Sequence, residues 1–357
     1  MRQDPPVSQF YLKVEPQLTH SEQKENQPKL VEKNLILVPS PKQKKILLLI
    51  AWGFATYLLF LCFREIELEQ AWNNIKQVHP LWLFLGVAGH FLIFIFWAKQ
   101  WIVFLPGKAS ITFKEMFEVN ALMSTAMNIL PFPGGHAFGV FLLAKKEGVG
   151  HSAALSVMSL DQLTEGIAKL TVLLIVSWLT PLPPLMKKGI LGLIVIIFLF
   201  MSVLLFFSFR FHNYKKIGVG SGRTLKERAV NFVSRWGHQL EGLRDFQTFF
   251  YGVILAYGMK LGEAAAIWGI QKGFGVDLPI WSVLLILAAL NLTTIIPLAP
   301  GNIGVYEATV FFIYQHLGIG PEQAIALALT QHLCFLLPLA GTGYIYTLTK
   351  NFIPKTL

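Results

Sequence analysis

Charge and cysteine are both scarce in this chain. Only 14% of its 357 residues are Asp, Glu, Lys or Arg, while 54% are hydrophobic; soluble domains carry about 25% charged residues. The two cysteines, Cys62 and Cys334, lie in apolar runs with no Cys or His partner at metal spacing, which excludes a disulfide framework and reads as small buried hydrophobes. No P-loop, H-E-x-x-H or G-x-S-x-G run occurs, so ATP-driven pumping or hydrolysis by this chain has no motif behind it, and no cofactor or metal is expected. A cleavable signal peptide is not expected either, because about forty polar residues precede the first apolar run and no small-residue cleavage site follows it.

What the chain does have is a series of apolar runs of membrane-spanning length, with mean hydropathy +0.54. That makes it an all-α polytopic membrane protein. The formal charge of +10 does not point to nucleic acid, because the basic residues sit between apolar runs, where the positive-inside rule puts them.

Residues 1–41 are rich in Pro, Gln, Glu and Lys and read as a disordered cytoplasmic tail. Residues 42–349 form the membrane domain, and 350–357 a short cytoplasmic tail. Lys42, Lys44 and Lys45 precede a span over 46–63, and a short amphipathic helix on the outer interface is expected within 64–80. Residues 81–105 return inward, with Trp97 and Trp101 in the interfacial belt and Lys99 placed to snorkel. Spans over 151–179, 189–211, 249–271 and 321–349 follow. The loop 212–248 holds seven Lys or Arg against three acids, the strongest cytoplasmic mark in the chain. Both termini are then cytoplasmic, in a cell membrane.

Two stretches interrupt this pattern. Residues 119–130 make an apolar helix of roughly 18 Å, too short for a hydrocarbon core of roughly 30 Å. It runs into Pro131, Pro133, Gly134 and Gly135, and a second short helix starts at His136. The counterpart is 278–296, then Pro297, Pro300, Gly301, Asn302 and Gly304, then 305–317. Proline removes a backbone donor and glycine accepts reversed backbone angles, so each stretch reads as a re-entrant hairpin. Each is followed by a Gly-x-Gly turn, Gly148-Val149-Gly150 and Gly318-Ile319-Gly320, and a long helix. Six spanning helices plus two hairpins, in repeat halves of about 42–180 and 189–349 entering from opposite faces, make an inverted repeat. Since 278–296 is long enough to cross, eight crossings remain an alternative.

Polar residues inside apolar helices mark the functional candidates. Asp161, Glu165 and Lys169 share one helical face. A Glu165–Lys169 pair fixing helix packing is the bland reading; it leaves Asp161 without a local partner. Lys260 and Glu263, three apart, pair with each other or with Asp161. Glu307, in the first turn after Gly304, either satisfies the helix dipole or pairs with a cationic headgroup, a proton or Lys260. The helix starts at His136 and Gly304 are candidate anion sites for a lipid phosphate, unless side chains or water cap them. Asn128, Asn291, Thr293, Thr294, Gln331 and His332 are hydrogen-bonding helix glue or further contributors.

The run Pro300-Gly301-Asn302-Ile303-Gly304-Val305-Tyr306-Glu307, and more loosely Ala144-Lys145-Lys146-Glu147-Gly148-Val149, resemble motifs of the flippase-like membrane proteins related to the transmembrane region of lysylphosphatidylglycerol synthase. The first is close to that family's P-G-G-hydrophobic-G-x-x-E, and the resemblance covers roughly residues 46 to 349. It implies movement of lipids with charged or glycosylated headgroups between leaflets, or assistance to enzymes that modify them. Two positions depart from the pattern: His136 and Gly139 stand where members carry Glu and Arg, and Asp161-Gln162 where they carry Glu-Arg. With no synthase domain in the chain, lipid aminoacylation is not expected of it. The reading is a lipid translocase rather than an enzyme, acting on a phospholipid or glycolipid headgroup, with a lipid-modifying enzyme as a partner. The alternatives are a membrane-embedded transferase or accessory subunit, and a scaffold that transports nothing.

Overall fold

The computed structural model describes residues 41–349 apart from 65, 108–110, 131–132, 147, 183, 214–223 and 295–298. Pro131, Pro297, the two tails and the centre of each break therefore lie outside the described residues. Every described element is helical. In chain order these are α1 (Pro41–Phe63), α2 (Leu68–Lys76), α3 (Pro80–Val103), α4 (Phe113–Ile129), α5 (Gly134–Ala144), α6 (His151–Leu179), α7 (Pro184–Arg210), α8 (Leu225–His238), α9 (Glu241–Arg244), α10 (Phe246–Gly273), α11 (Ile280–Thr293), α12 (Val305–His316) and α13 (Pro321–Thr349). A 3-10 turn, Pro300–Asn302, precedes α12. Leu48–Leu357 forms one compact unit.

The chain is a multi-pass membrane protein. Helices α3, α6, α7, α10 and α13 are each long and apolar enough to cross a bilayer, and α1 with α2, bent by 87°, make a sixth if counted as one. Helix α11 has 14 residues, or roughly 21 Å, and falls short of crossing alone. Around the breaks one order occurs twice: α4, α5 and α6 have 17, 11 and 29 residues, and α11, α12 and α13 have 14, 12 and 29.

Local chemistry sets the helix starts. Pro80 opens α3, where its missing N–H costs nothing, and His79 Nδ1 accepts from Leu81 N at 3.2 Å. Thr112 and Glu115 close a capping box at α4, with Thr112 N donating to Glu115 Oε2 at 3.0 Å and Glu115 N donating to Thr112 Oγ1 at 3.3 Å. The same box, Thr224 with Glu227, starts α8. Within the basic stretch 212–248, helix α8 adds structure that the sequence reading did not place. It packs on α6 and α7, and its Trp236 Nε1 donates to Ser159 Oγ at 3.3 Å.

Apolar burial is divided between two clusters. One gathers Leu173, Val176, Ile270, Ile286, Val310, Tyr314 and Ile325 from α6 and α10–α13. The other gathers Phe94, Trp101, Met123, Leu143, Leu160 and Leu204 from α3–α7. Along α7 one face is buried and the other stays outside, with Leu191 and Phe198 about two-thirds exposed, as a lipid-facing helix requires. Helices α3 and α10 pack most extensively. A Cβ on Gly89 would sit 2.7 Å from the Gly262 carbonyl oxygen, so the two backbones meet where only small residues fit.

Candidate functional site

Helix α6 is the centre of the site. Asp161 is 1% exposed, and its carboxylate accepts from Trp97 Nε1 of α3 at 2.9 Å and from Gln162 Nε2 at 3.1 Å. Trp97 and Trp101 are buried, and Trp97 is turned inward to hold the acid. One turn on, Glu165 Oε1 lies 2.8 Å from Lys169 Nζ and 3.7 Å from Lys260 Nζ of α10. Lys260 also donates to Glu263 Oε2 at 2.8 Å. The predicted i, i+4 pair therefore exists as half of a larger network, in which Lys260 bridges two carboxylates. Lys260 pairs with Glu263 and Glu165 and not with Asp161.

These side chains line a cavity of about 240 Å³. Asp161, Gln162, Glu165 and Lys169 enter from α6, Lys260 and Glu263 from α10, and Gly135 and His136 from the start of α5. Ser124, Asn128, Asn291, Thr294 and Asn302 add polar lining from α4, α11 and the second break, while Ile93, Met259, Phe335 and Leu339 supply apolar wall. Pro133 and Gly134 open α5, and the side chain of Pro133 makes no cap hydrogen bond. Asn291 is 4% exposed, and among the described residues its Nδ2 and Asn302 Oδ1 have no hydrogen-bond partner, whereas buried amide groups are normally satisfied. Three carboxylates face two ammonium groups there, Asp161, Glu165 and Glu263 against Lys169 and Lys260. The set holds one carboxyl group more than it holds ammonium groups, with the His136 imidazole beside them.

The second break is built differently from the first. Gly301 (φ 61°), Asn302 (φ 56°) and Gly304 (φ 84°) all adopt left-handed backbone, which turns the chain from the 3-10 turn Pro300–Asn302 into α12. Glu307 does not line the cavity. Its Oε2 accepts from Gly304 N at 2.7 Å, and its Oε1 lies 2.7 Å from His332 Nδ1 of α13. Glu307 thus caps its own helix start, and Lys260, one of the alternative partners, pairs elsewhere. His332 Nε2 lies 2.9 Å from the Gly301 carbonyl oxygen, so α13 grips the break at two points. The site roles of Trp97 and His332 could not be read locally, since their partners are 64 and 25 residues away.

Among the described residues no group of three or more His, Cys, Asp or Glu could hold a metal ion. The family model described as the lysylphosphatidylglycerol synthase TM region matches residues 46–343. No curated protein matches the chain.

Proposed function

The chain belongs to the lysylphosphatidylglycerol synthase transmembrane-region family, and from this premise we propose that it is a lipid translocase whose headgroup site is the cavity between α6, α10 and the two breaks. The two interrupted segments are read as re-entrant hairpins of an inverted repeat, with the headgroup moving through the polar cavity while the acyl chains stay in lipid. One observation carries the reading: seven of the eight polar candidates named from sequence (Asp161, Glu165, Lys169, Lys260, Glu263, His136 and Asn302) line one space. Buried ionisable groups around a cavity are expensive in a membrane, and a packing role explains the lysine bridges but not the excess acid or the unpartnered Asn291 amide. The surplus carboxyl group suits a headgroup that presents a positive group to Asp161. The start of α5 and Asn291 suit its phosphate or hydroxyl oxygens.

The test is scrambling of fluorescent lipids in liposomes containing the purified protein, read with a membrane-impermeant quencher. Asp161→Asn keeps the shape of the side chain and its acceptor for Trp97 while removing the charge. It is expected to slow translocation at least tenfold with the melting temperature unchanged. Wild-type translocation by this variant removes Asp161 from the site. No translocation of any lipid by the wild-type protein favours the accessory-subunit or scaffold alternatives.

A further inference from the structure

His332 is held between two oxygens. Its Nε2 is 2.9 Å from the Gly301 carbonyl oxygen, and its Nδ1 is 2.7 Å from Glu307 Oε1. A carbonyl oxygen only accepts, so Nε2 carries a hydrogen. The ring of a neutral histidine has one N–H, which leaves Nδ1 as a bare lone pair facing the carboxyl oxygen. Two lone pairs do not approach to 2.7 Å; a contact of that length has a proton in it. Either the ring is an imidazolium beside a carboxylate, or Glu307 is a neutral acid donating to Nδ1. In both descriptions the pair holds one proton more than a neutral ring and an ionised carboxylate. Exchanging ring nitrogens for carbons would put C–H groups at both contacts, so the two partners together set the ring orientation. Tyr306 stacks on the ring at 4.3 Å and 9°, which keeps the ring plane fixed.

We propose that Glu307 and His332 form a proton-binding site that keeps the Pro300–Gly304 break in shape and thereby couples one proton to the cavity wall supplied by Asn302. The second oxygen of Glu307 accepts the Gly304 N–H, so the chain of contacts runs from Gly304 through the acid and the ring back to Gly301, and Asn302 lies inside that loop. If the proton leaves, the ring can keep only one of its two contacts as a hydrogen bond. The other becomes a repulsion between lone pairs, and the break must open or turn. Both residues are nearly inaccessible, at 2% and 6% exposed, so water does not replace the lost bond without that movement.

The groups facing the pair come from five elements. His332 acts electrostatically on His90 of α3, Glu307 acts on Cys62 of α1, and Glu263 of α10 acts on His90 and Tyr306. Tyr306 of α12 stacks on the ring, and Cys334 lies two residues on in α13. Glu263 is the one shared with the cavity network, through Lys260. This inference stands apart from the lipid reading, because the proton is counted without any transport.

The experiment uses the full chain in lipid nanodiscs, with histidine labelled by nitrogen-15. The His332 signal is assigned by its loss in His332→Gln, or by its shift in Glu307→Gln if the first variant does not fold. A spin label on Thr294→Cys, which lies on the cavity side of the break, reports local movement by its line shape. At neutral pH His332 is expected to show two N–H groups, or one N–H at Nε2 with a hydrogen bond accepted at Nδ1. On raising pH the proton is lost, and the label spectrum changes with the same midpoint. Glu307→Gln supplies an uncharged amide N–H to Nδ1 and an oxygen to Gly304, so its label spectrum is expected to stay in the proton-loaded form at every pH. A bare Nε2 with Nδ1–H facing a carboxylate at neutral pH overturns the proton site. A label that is flat while His332 titrates, or one that still moves in Glu307→Gln, overturns the coupling.

Discussion

Gly301→Ala and Gly304→Ala add the same methyl group to the same turn, and the surroundings separate their costs. Gly301 sits at φ 61° and ψ 13°, ordinary left-handed backbone, and a Cβ there would meet nothing closer than Leu336 at 3.6 Å. The cost is the left-handed penalty alone, about 1–2 kcal/mol, and Gly301→Asn, which tolerates that region, is expected to cost less. Gly304 sits at φ 84° and ψ −48°, outside the left-handed helical well, and its Cβ would lie 2.6 Å from the carbonyl oxygen and 2.8 Å from the Cα of Ala55 in α1. Strain of about 1–3 kcal/mol adds to about 1–3 kcal/mol for crowding a backbone that cannot rotate away, for a total of about 2–6 kcal/mol. Thermal melting of purified variants in detergent reads the difference. The expected order is wild type, Gly301→Asn, Gly301→Ala and then, well below, Gly304→Ala. Equal losses at Gly301 and Gly304 would refute the claim that α1 is clamped against the second break.

Lys260→Met is expected to cost about 3–5 kcal/mol, because Glu263 loses its ammonium partner within the protein. Lys169→Met is expected to cost less, since the structure leaves Glu165 with Lys260 3.7 Å away; the double variant Lys260→Met/Glu263→Gln is expected to recover part of the loss, all read by the same melts. At the start of α4, the backbone N–H and then the hydroxyl of Thr112 hold the Glu115 carboxyl below the usual carboxylate range, with Lys146 3.6 Å away. A depressed carboxyl favours the folded turn when ionised, so protection of the first amides of α4 in hydrogen exchange is expected to be full above the usual range. It is then lost as pH falls through Glu115's own lower value, and Glu115→Gln is expected to abolish that step. Cysteines placed at positions 145 and 238 are expected to react with an impermeant reagent from the cytoplasmic side, and those at 187 and 318 from the other. Both native cysteines are buried, which keeps the background low, and reaction of 145 and 187 from one side would refute the opposed orientation of the two hairpins.

Long helices were legible in the sequence because an apolar run of 24 to 29 residues allows little else. The breaks were legible because Pro and Gly act on the backbone at the residue where they stand. Helix α8 carried its signal openly, in Thr224 and Glu227 at capping-box spacing, but the density of basic residues drew attention to charge instead. Asp161 was legible as an acid without a partner at i±3 or i±4, and not as the acceptor of Trp97, which another helix brings to it. The lysine bridge shows the same boundary: Glu165–Lys169 and Lys260–Glu263 are local and readable, whereas the Glu165–Lys260 contact that joins them is tertiary.

The two breaks look alike in sequence and differ in how their helix starts are satisfied. Helix α12 receives a carboxylate from its own first turn, and that carboxylate is tied to α13 through His332. Helix α5 has neither an acid in its first turn nor a side-chain cap at Pro133, and its Gly135 and His136 line the cavity. The positive end of a helix attracts an anion wherever one can reach it. At α12 that demand is already met within the protein, so a phosphate there would have to displace Glu307. Under the proposed function the demand at α5 falls on the cavity, whose lining also holds three carboxyl groups from α6 and α10. A space that offers both a helix start and Asp161 fits a group with charges of both signs better than a simple anion or a simple cation. Under the proposed function, the second break is thus the one that is held and the first the one that binds.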